Sequence, residues 1–225
     1  MQNQVRILST KKLLSNQKQY LLNADFNVIE ADFIKTHNKS FDLNHINESL
    51  IFTSQNAVLS VLEHEKADQL KSKNVFCVGL KTKDLLEKNG FNVMAYTGYA
   101  QDLAEIIALV YADGNYTFFS GNLRRDTLPE SLKRSHIKFN EITVYETLLT
   151  PQKISSKVDG ILFFSPSAVE SFLEENKIKD EICICIGTTT AEALETNKIK
   201  NIVIANQPTV ENTIIQCINA FSPKP

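Results

Sequence analysis

Two short segments concentrate hydroxyl and amide groups where an apolar run gives way to a helical pattern: Thr53-Ser54-Gln55-Asn56 and Ser165-Pro166-Ser167-Ala168. A strand-to-helix turn of this kind exposes unpaired backbone N–H groups at the positive end of a helix dipole. Ser or Asn there caps the helix and adds side-chain donors. Both features suit an anion, whether carboxylate or phosphate. Plain capping accounts for either turn alone. The two turns, however, lie inside a repeat: residues 51–63 align without gaps on residues 162–174, and seven of these 13 positions are identical. The same turn at matching places in two related units favours ligand binding over capping by coincidence.

A second match follows each copy. Cys77-Val78-Gly79-Leu80-Lys81-Thr82 aligns with Cys185-Ile186-Gly187-Thr188-Thr189-Thr190, with the offset shortening from 111 to 108 residues. A Gly directly after a strand permits close backbone approach to a ligand, and serves equally as a plain turn residue. A further turn, Ser120-Gly121-Asn122-Leu123-Arg124-Arg125-Asp126, offers two guanidinium groups. These suit an acidic ligand, or they pair with Asp126 or Glu130 or face solvent. Tyr145 closes a strand-like run at an interdomain connector; its hydroxyl faces the ligand there, or its ring packs the connector. His37, His45, His64 and His136 are scattered in polar surroundings and read as solvated surface. No Ser-His-Asp set or carboxylate pair can be assembled from spacing. Neither GxGxxG nor GxxxxGK[ST] occurs, and seven Gly in the chain argue against a nucleotide site.

The elements that position these turns follow from apolar periodicity. Continuous apolar runs at 5–9, 27–33, 50–53, 74–78, 92–96, 116–120, 138–145, 160–165, 181–186 and 201–205 read as strands buried on both faces of a parallel sheet. Helical patterns fill 57–66, 83–89, 101–112, 128–135, 168–176, 191–197 and 210–221, and Gly90 closes one of them. The alternation predicts an α/β fold with crossovers on both sheet faces. The repeat begins near residue 50, so the N-terminal β-α-β unit must complete the second copy. Domain one is then discontinuous, 1–34 with 149–225, and domain two, 35–148, is inserted into it. Connectors near 33–40 and 141–153 form a hinge, and two sets of turns face a cleft that holds the ligand.

Composition narrows the classes. The chain has 225 residues, 43% of them apolar, a formal charge of −2 and a pI near 6.1. With no basic excess, a nucleic-acid surface is not supported. No apolar run reaches membrane-spanning length, and the start at Met1-Gln2-Asn3-Gln4 lacks the regions of a signal peptide; a cytoplasmic location is expected. Cys77, Cys183, Cys185 and Cys217 form no CxxC, and read as small buried hydrophobes without metal or disulfide roles. Residues 222–225 are expected to fray.

The chain resembles the uroporphyrinogen-III synthase family. The resemblance is carried by Phe52-Thr53-Ser54-Gln55-Asn56-Ala57-Val58, Val78-Gly79 with Thr82, Ser120-Gly121-Asn122-Leu123-Arg124-Arg125-Asp126 with Leu128-Pro129, Val144-Tyr145-Glu146-Thr147, Phe164-Ser165-Pro166-Ser167-Ala168-Val169, Ile186-Gly187 with Thr189-Thr190-Ala191, and Pro208-Thr209. It implies two flavodoxin-like or Rossmann-like parallel-sheet domains joined by a two-stranded hinge. It also implies closure of hydroxymethylbilane, a linear tetrapyrrole, to uroporphyrinogen III with inversion of ring D and loss of water. No metal or organic cofactor is implied. The small-molecule substrate is the main partner; a monomer with transient contact to the preceding deaminase is expected. Tyr145 matches the family tyrosine that assists departure of water. The expected substrate contacts are Thr53, Ser54, Gln55, Asn56, Gly79, Thr82, Ser120, Gly121, Asn122, Arg124, Ser165, Pro166, Ser167, Ala168, Gly187, Thr188, Thr189 and Thr190. Lys81, Phe164 and Asn212 depart from the family pattern and are not carried over.

A non-catalytic two-domain α/β binding or sensor protein for a small anion would use the same turns, but has no reason to carry both the Tyr145 segment and the Asn122–Arg125 turn. A flavodoxin-like electron carrier would need flavin-stacking aromatics; there is no Trp, and 53–56 contains no aromatic.

Overall fold

The computed structural model describes residues 4–222. Residues 1–3, and residues 223–225 of the tail expected to fray, lie outside the described residues. The chain divides into two units: one holds residues through Lys35 and those from Leu148 onward, the other holds Thr36–Thr147. The fold is α/β with two sheets, of five and six strands. Among the described residues no helix is long and apolar enough to cross a membrane.

The first unit contains β1 (Arg6–Ser9), α1 (Ser15–Asn23), β2 (Asn27–Glu30), β9 (Gly160–Phe163), α6 (Pro166–Glu175), β10 (Ile182–Cys185), α7 (Thr188–Thr196), β11 (Ile202–Ile204) and α8 (Val210–Phe221). Its sheet runs β11-β10-β9-β1-β2, all parallel. Strand alternation sorts the side chains. Ile161 and Phe163 join Leu8, Cys183 and Cys185 beneath α6 and α7, while Leu162 joins Ile7 and Ile184 beneath α1 and α8. Both faces are therefore covered, which is why the strands read as unbroken apolar runs.

The second unit contains β4 (Ser49–Phe52), α2 (Gln55–Leu62), β5 (Asn74–Val78), α3 (Leu80–Lys88), β6 (Asn92–Thr97), α4 (Ala100–Val110), β7 (Asn115–Gly121), α5 (Thr127–Arg134) and β8 (Lys138–Leu149). Its sheet runs β3-β8-β7-β4-β5-β6, where β3 is Ile34–Asn38. Leu50, Phe52, Val75, Cys77 and Phe119 turn to one face with Ala57, Val58 and Leu86; Ile51, Phe76, Phe118 and Tyr116 turn to the other with Leu103, Ile107 and Leu132. Phe52 and Phe119 stack with centroids 5.1 Å apart. All four cysteines are buried, and burial pushes their thiols up to about 12.

Two strands differ from the sequence reading. The run at 27–33 is interrupted: β2 ends at Glu30, and β3 starts at Ile34. The break is where Asp32 turns its carboxylate to the Lys12 amide (2.8 Å) and Phe33 drops into the core against Phe172. β8 continues past Tyr145 to Leu149. Its sequence is rich in β-branched and aromatic residues, with no Gly or Pro before Pro151 to stop it. The chain passes between the two units twice, within β3 and within β8, which are neighbours in the six-stranded sheet.

The repeat reaches further than sequence identity shows. With Ile51 aligned on Leu162, the ladders place Phe118 and Ser9 at matching positions, and these lie opposite Glu141 and Glu30. The N-terminal β1-α1-β2 thus occupies in the first sheet the place of β7-α5-β8 in the second. Glu30 and Glu141 behave alike. Burial alone would raise each carboxyl, but cationic and hydrogen-bond partners outweigh it and hold both below the usual carboxylate range. Glu30 takes Lys18 and the Leu13 amide; Glu141 takes Arg124 and Ser120.

Three residues onward, the carbonyls of Val144 and Phe33 also match, and each accepts a backbone N–H at 2.9 Å, from Lys39 and Thr150 respectively. Here the copies part. Ser60 gives its hydroxyl hydrogen to Val144 O. Its counterpart Ser171 is fully buried, and among the described residues its hydroxyl has no partner. A net hydrogen bond contributes about 1 kcal/mol, while an unpaired buried hydroxyl costs about 1–3 kcal/mol. We predict that Ser60→Ala lowers unfolding free energy by about 1 kcal/mol in denaturant titration, whereas Ser171→Ala leaves it unchanged or raises it. Equal losses at both positions would contradict this difference between the copies.

Candidate active site

Parallel strands bring their carboxyl ends to one edge of a sheet, where ligands of open α/β folds bind. In the second unit this edge carries, in sheet order, Tyr145 on β8, the 120–126 turn after β7, the 53–56 turn after β4 and the 79–82 turn after β5. In the first unit it carries the turn after β1, then the 165–168 turn after β9, the 187–190 turn after β10 and Thr209 before α8.

The repeated serines cap their helices. Ser54 Oγ accepts from the amides of Asn56 (3.1 Å) and Ala57 (3.4 Å), and Ser165 Oγ accepts from Ala168 (3.1 Å) and lies 3.0 Å from Ser167 Oγ. Capping uses the second and third amides of the first turn in α2 and the third in α6. The first amide of α2, on Gln55, and that of Ser167 behind Pro166 stay outside the helices' own ladders. Thr53, Ser54, Ser165, Pro166 and Ser167 are half-buried, Gln55 and Asn56 exposed, and Ala168 buried.

The two glycine turns are not equivalent. Gly79 sits at φ +91°, a left-handed conformation that disfavours any side chain, and its amide bonds Thr97 O at 2.8 Å. Gly187 is extended at φ −173°, and a Cβ there would meet nothing within 4 Å. Its backbone conformation therefore does not require glycine. Thr82 and Thr190 are buried, at 5% and 1% exposure, whereas Thr188 is exposed and Thr189 half-buried.

In the 120–126 turn the polar side chains are already engaged. Arg124 forms a two-point contact with Glu141, Nε to Oε1 at 2.6 Å and Nη2 to Oε2 at 3.0 Å, and also binds Asp126. Glu141, foremost, raises the affinity of the guanidinium for its proton. Ser120 is buried and donates to Glu141 Oε1 at 2.7 Å. Spacing had suggested Asp126 or Glu130 as partners of this arginine; Glu141 was missed, because only the β7–β8 register brings it there. Asn122 is exposed, yet its side chain bonds the backbone of Thr147 in both directions. The corresponding turn of the first unit is closed by its own carboxylates, with Asp32 and Glu30 accepting from the Lys12 and Leu13 amides.

Tyr145 is half-buried. Its ring packs against the cluster built around Phe52, Phe119 and Val144, and rests over Gly121, its ladder partner. Among the described residues its hydroxyl has no hydrogen-bond partner. The matching place in the first unit, four residues beyond Glu30, is Ile34. The sheet edge of the second unit therefore presents the Tyr145 phenol beside turns lined with amides and hydroxyls. Such an edge can bind carboxylates through oriented dipoles and donate a proton from the phenol.

The family model described as Uroporphyrinogen-III synthase HemD matches residues 16–215. The uroporphyrinogen-III synthase of Chlorobaculum parvum is 30% identical, over 67% of this chain and 70% of the relative; that of Saccharomyces cerevisiae is 26% identical, over 74% and 73%. Among solved structures, uroporphyrinogen-III synthetase from Helicobacter pylori superposes with a TM-score of 0.74 at 21% identity, covering 96% of this chain and 99% of that one. A mutant uroporphyrinogen III synthase from Thermus thermophilus gives a TM-score of 0.69 at 16% identity, covering 96% and 98%. These structural likenesses show the fold; the family model, matching across both units, shows the family. The chain belongs to the uroporphyrinogen-III synthase family.

Proposed function

We propose that this chain is a cyclising hydro-lyase of tetrapyrrole biosynthesis. It converts hydroxymethylbilane to uroporphyrinogen III, inverting the terminal D ring and releasing water. The observation that carries this reading is the family match over residues 16–215, which spans both units.

The chemistry suits the residues. When the hydroxymethyl C–O bond breaks, oxygen leaves as water and the carbon becomes a stabilised cation equivalent. The protein must then hold the chain so that the correct ring carbon attacks, through a spiro arrangement that inverts ring D. Orientation supplies most of such a rate enhancement, so no elaborate acid–base set is required. Tyr145 donates a proton or hydrogen bond to the departing hydroxyl.

The substrate carries many carboxylates, and a protein of formal charge −2 does not attract them by bulk charge. Oriented amides do so locally. The contacts are assigned to Thr53, Gln55 and Asn56 in the second unit, and to Ser167, Gly187, Thr188 and Thr189 in the first. Ser54, Ser165 and buried Thr82 and Thr190 shape these turns. Arg124, whose charge is balanced by Glu141 and Asp126, holds its own turn in shape. The protein works as a monomer and meets the preceding deaminase only transiently.

Three outcomes test this reading. Hydroxymethylbilane generated by a deaminase, treated with the protein and oxidised, should yield uroporphyrin isomer III; isomer I alone would leave only the non-catalytic anion binder. Tyr145→Phe should lower turnover by about a hundred-fold with the fold retained, the low end of what positioned proton donors contribute; undiminished turnover would remove Tyr145 from the reaction. Gly187→Ala should leave thermal stability unchanged but raise KM several-fold, because its Cβ would block only an approaching ligand. An unchanged KM would exclude the 187–190 turn from substrate contact.

A further inference from the structure

The environment of Tyr145 is built from one side by two consecutive residues. A Cβ placed on Gly121 would lie 2.4 Å from Tyr145 Cζ, 2.6 Å from Cε2 and 2.8 Å from Cε1. The outer end of the ring, which bears the hydroxyl, thus occupies the space that any other residue at 121 would fill. The ladder shifts register at this point: Ser120 faces Thr143, but Gly121 faces Tyr145. β7 then ends, and Asn122 takes over its pairing with β8. The Asn122 amide donates to Tyr145 O at 3.3 Å. Its side chain accepts from the Thr147 N–H at 2.8 Å and donates to Thr147 O at 3.2 Å. The carboxamide therefore stands in for one more peptide unit of the strand. It fixes β8 immediately beyond Tyr145, while Val144 O on the other side is held by Lys39 N and Ser60 Oγ.

We propose that Asn122 and Gly121 are positioning residues for Tyr145 and that the Asn122 side chain does not bind substrate. Gly121 provides the seat for the ring, and Asn122 locks the backbone on which the ring is mounted. The phenol is thereby held at one point of the sheet edge without any hydrogen bond from the described residues to its hydroxyl, which stays available to the substrate. This assignment rests on the reading of the chain as the synthase and of Tyr145 as its proton donor.

The test compares Asn122→Ala, Asn122→Asp, Tyr145→Phe and the double variant Asn122→Ala/Tyr145→Phe on hydroxymethylbilane made in situ, with circular dichroism confirming the fold. Asn122→Ala should lower kcat by about ten- to a hundred-fold, the scale of a misplaced catalytic group, with KM within about two-fold of wild type. Asn122→Asp keeps the acceptor for the Thr147 N–H and loses the donor, so its kcat should fall between wild type and Asn122→Ala. On the Tyr145→Phe background, Asn122→Ala should cost less than about two-fold more, because residues acting as a unit are not additive. A raised KM with unchanged kcat would overturn the proposal in favour of direct substrate binding. An equal loss on both backgrounds would overturn it too, as would no loss at all. If wild type makes isomer III and Tyr145→Phe is impaired, these outcomes count against the positioning role alone. A wild-type protein that makes no isomer III would overturn the synthase reading and this assignment with it.

Discussion

The parallel ladder between β7 and β8 is the constraint on which the second unit's site depends. Its register sets Glu141 opposite Phe118, within reach of Arg124 and Ser120, and sets Tyr145 opposite Gly121 after a one-residue shift. A slip by one residue would turn the phenol to the other face of the sheet and leave the Glu141 carboxylate without its arginine. The shift is held by parts that only make sense together: a glycine under the ring, an asparagine side chain extending the ladder, and a serine from α2 on the carbonyl before the tyrosine. The core beneath, where Phe52 of β4 stacks on Phe119 of β7 and Val144 of β8 joins the same cluster, holds these strands from the interior.

The duplication supplies the frame, and its exceptions supply the specialisation. Both sheets share a strand order over five strands, a carboxylate paired with a cation at matching positions and a serine-capped helix after the central strand. The copies differ where the second unit carries Tyr145 and the first Ile34, and where Ser60 is bonded and Ser171, among the described residues, is not. The first unit also closes its β1 turn with Asp32 and Glu30, spending on itself the amides that such a turn would offer an anion. The shared features are those that build a sheet edge lined with amides; those peculiar to the second unit, Tyr145 and the Ser60–Val144 bond, meet at β8.

The α/β class and most strands were legible in the sequence because each strand is buried on both faces and so reads as an unbroken apolar run. The serine turns were legible because the repeat preserved them. What was not legible depends on register. Glu30 and Glu141 lie in segments with no evident similarity, and only the ladders to β1 and β7 reveal them as counterparts. Arg124 and Asn122 have the types expected of anion ligands, but their partners, Glu141 and Thr147, are 17 and 25 residues away. No local pattern announces those pairings.

The central claim is that the Tyr145 hydroxyl, held over Gly121, gives its proton to the departing oxygen. Replacing Tyr145 with a series of fluorinated tyrosines changes the acidity of the phenol while barely changing the ring's size. If the phenol donates a proton in the transition state, kcat should rise with phenol acidity as long as the group stays protonated, following Brønsted behaviour. A kcat independent of phenol acidity across the series would contradict the account and leave Tyr145 as a packing residue of β8.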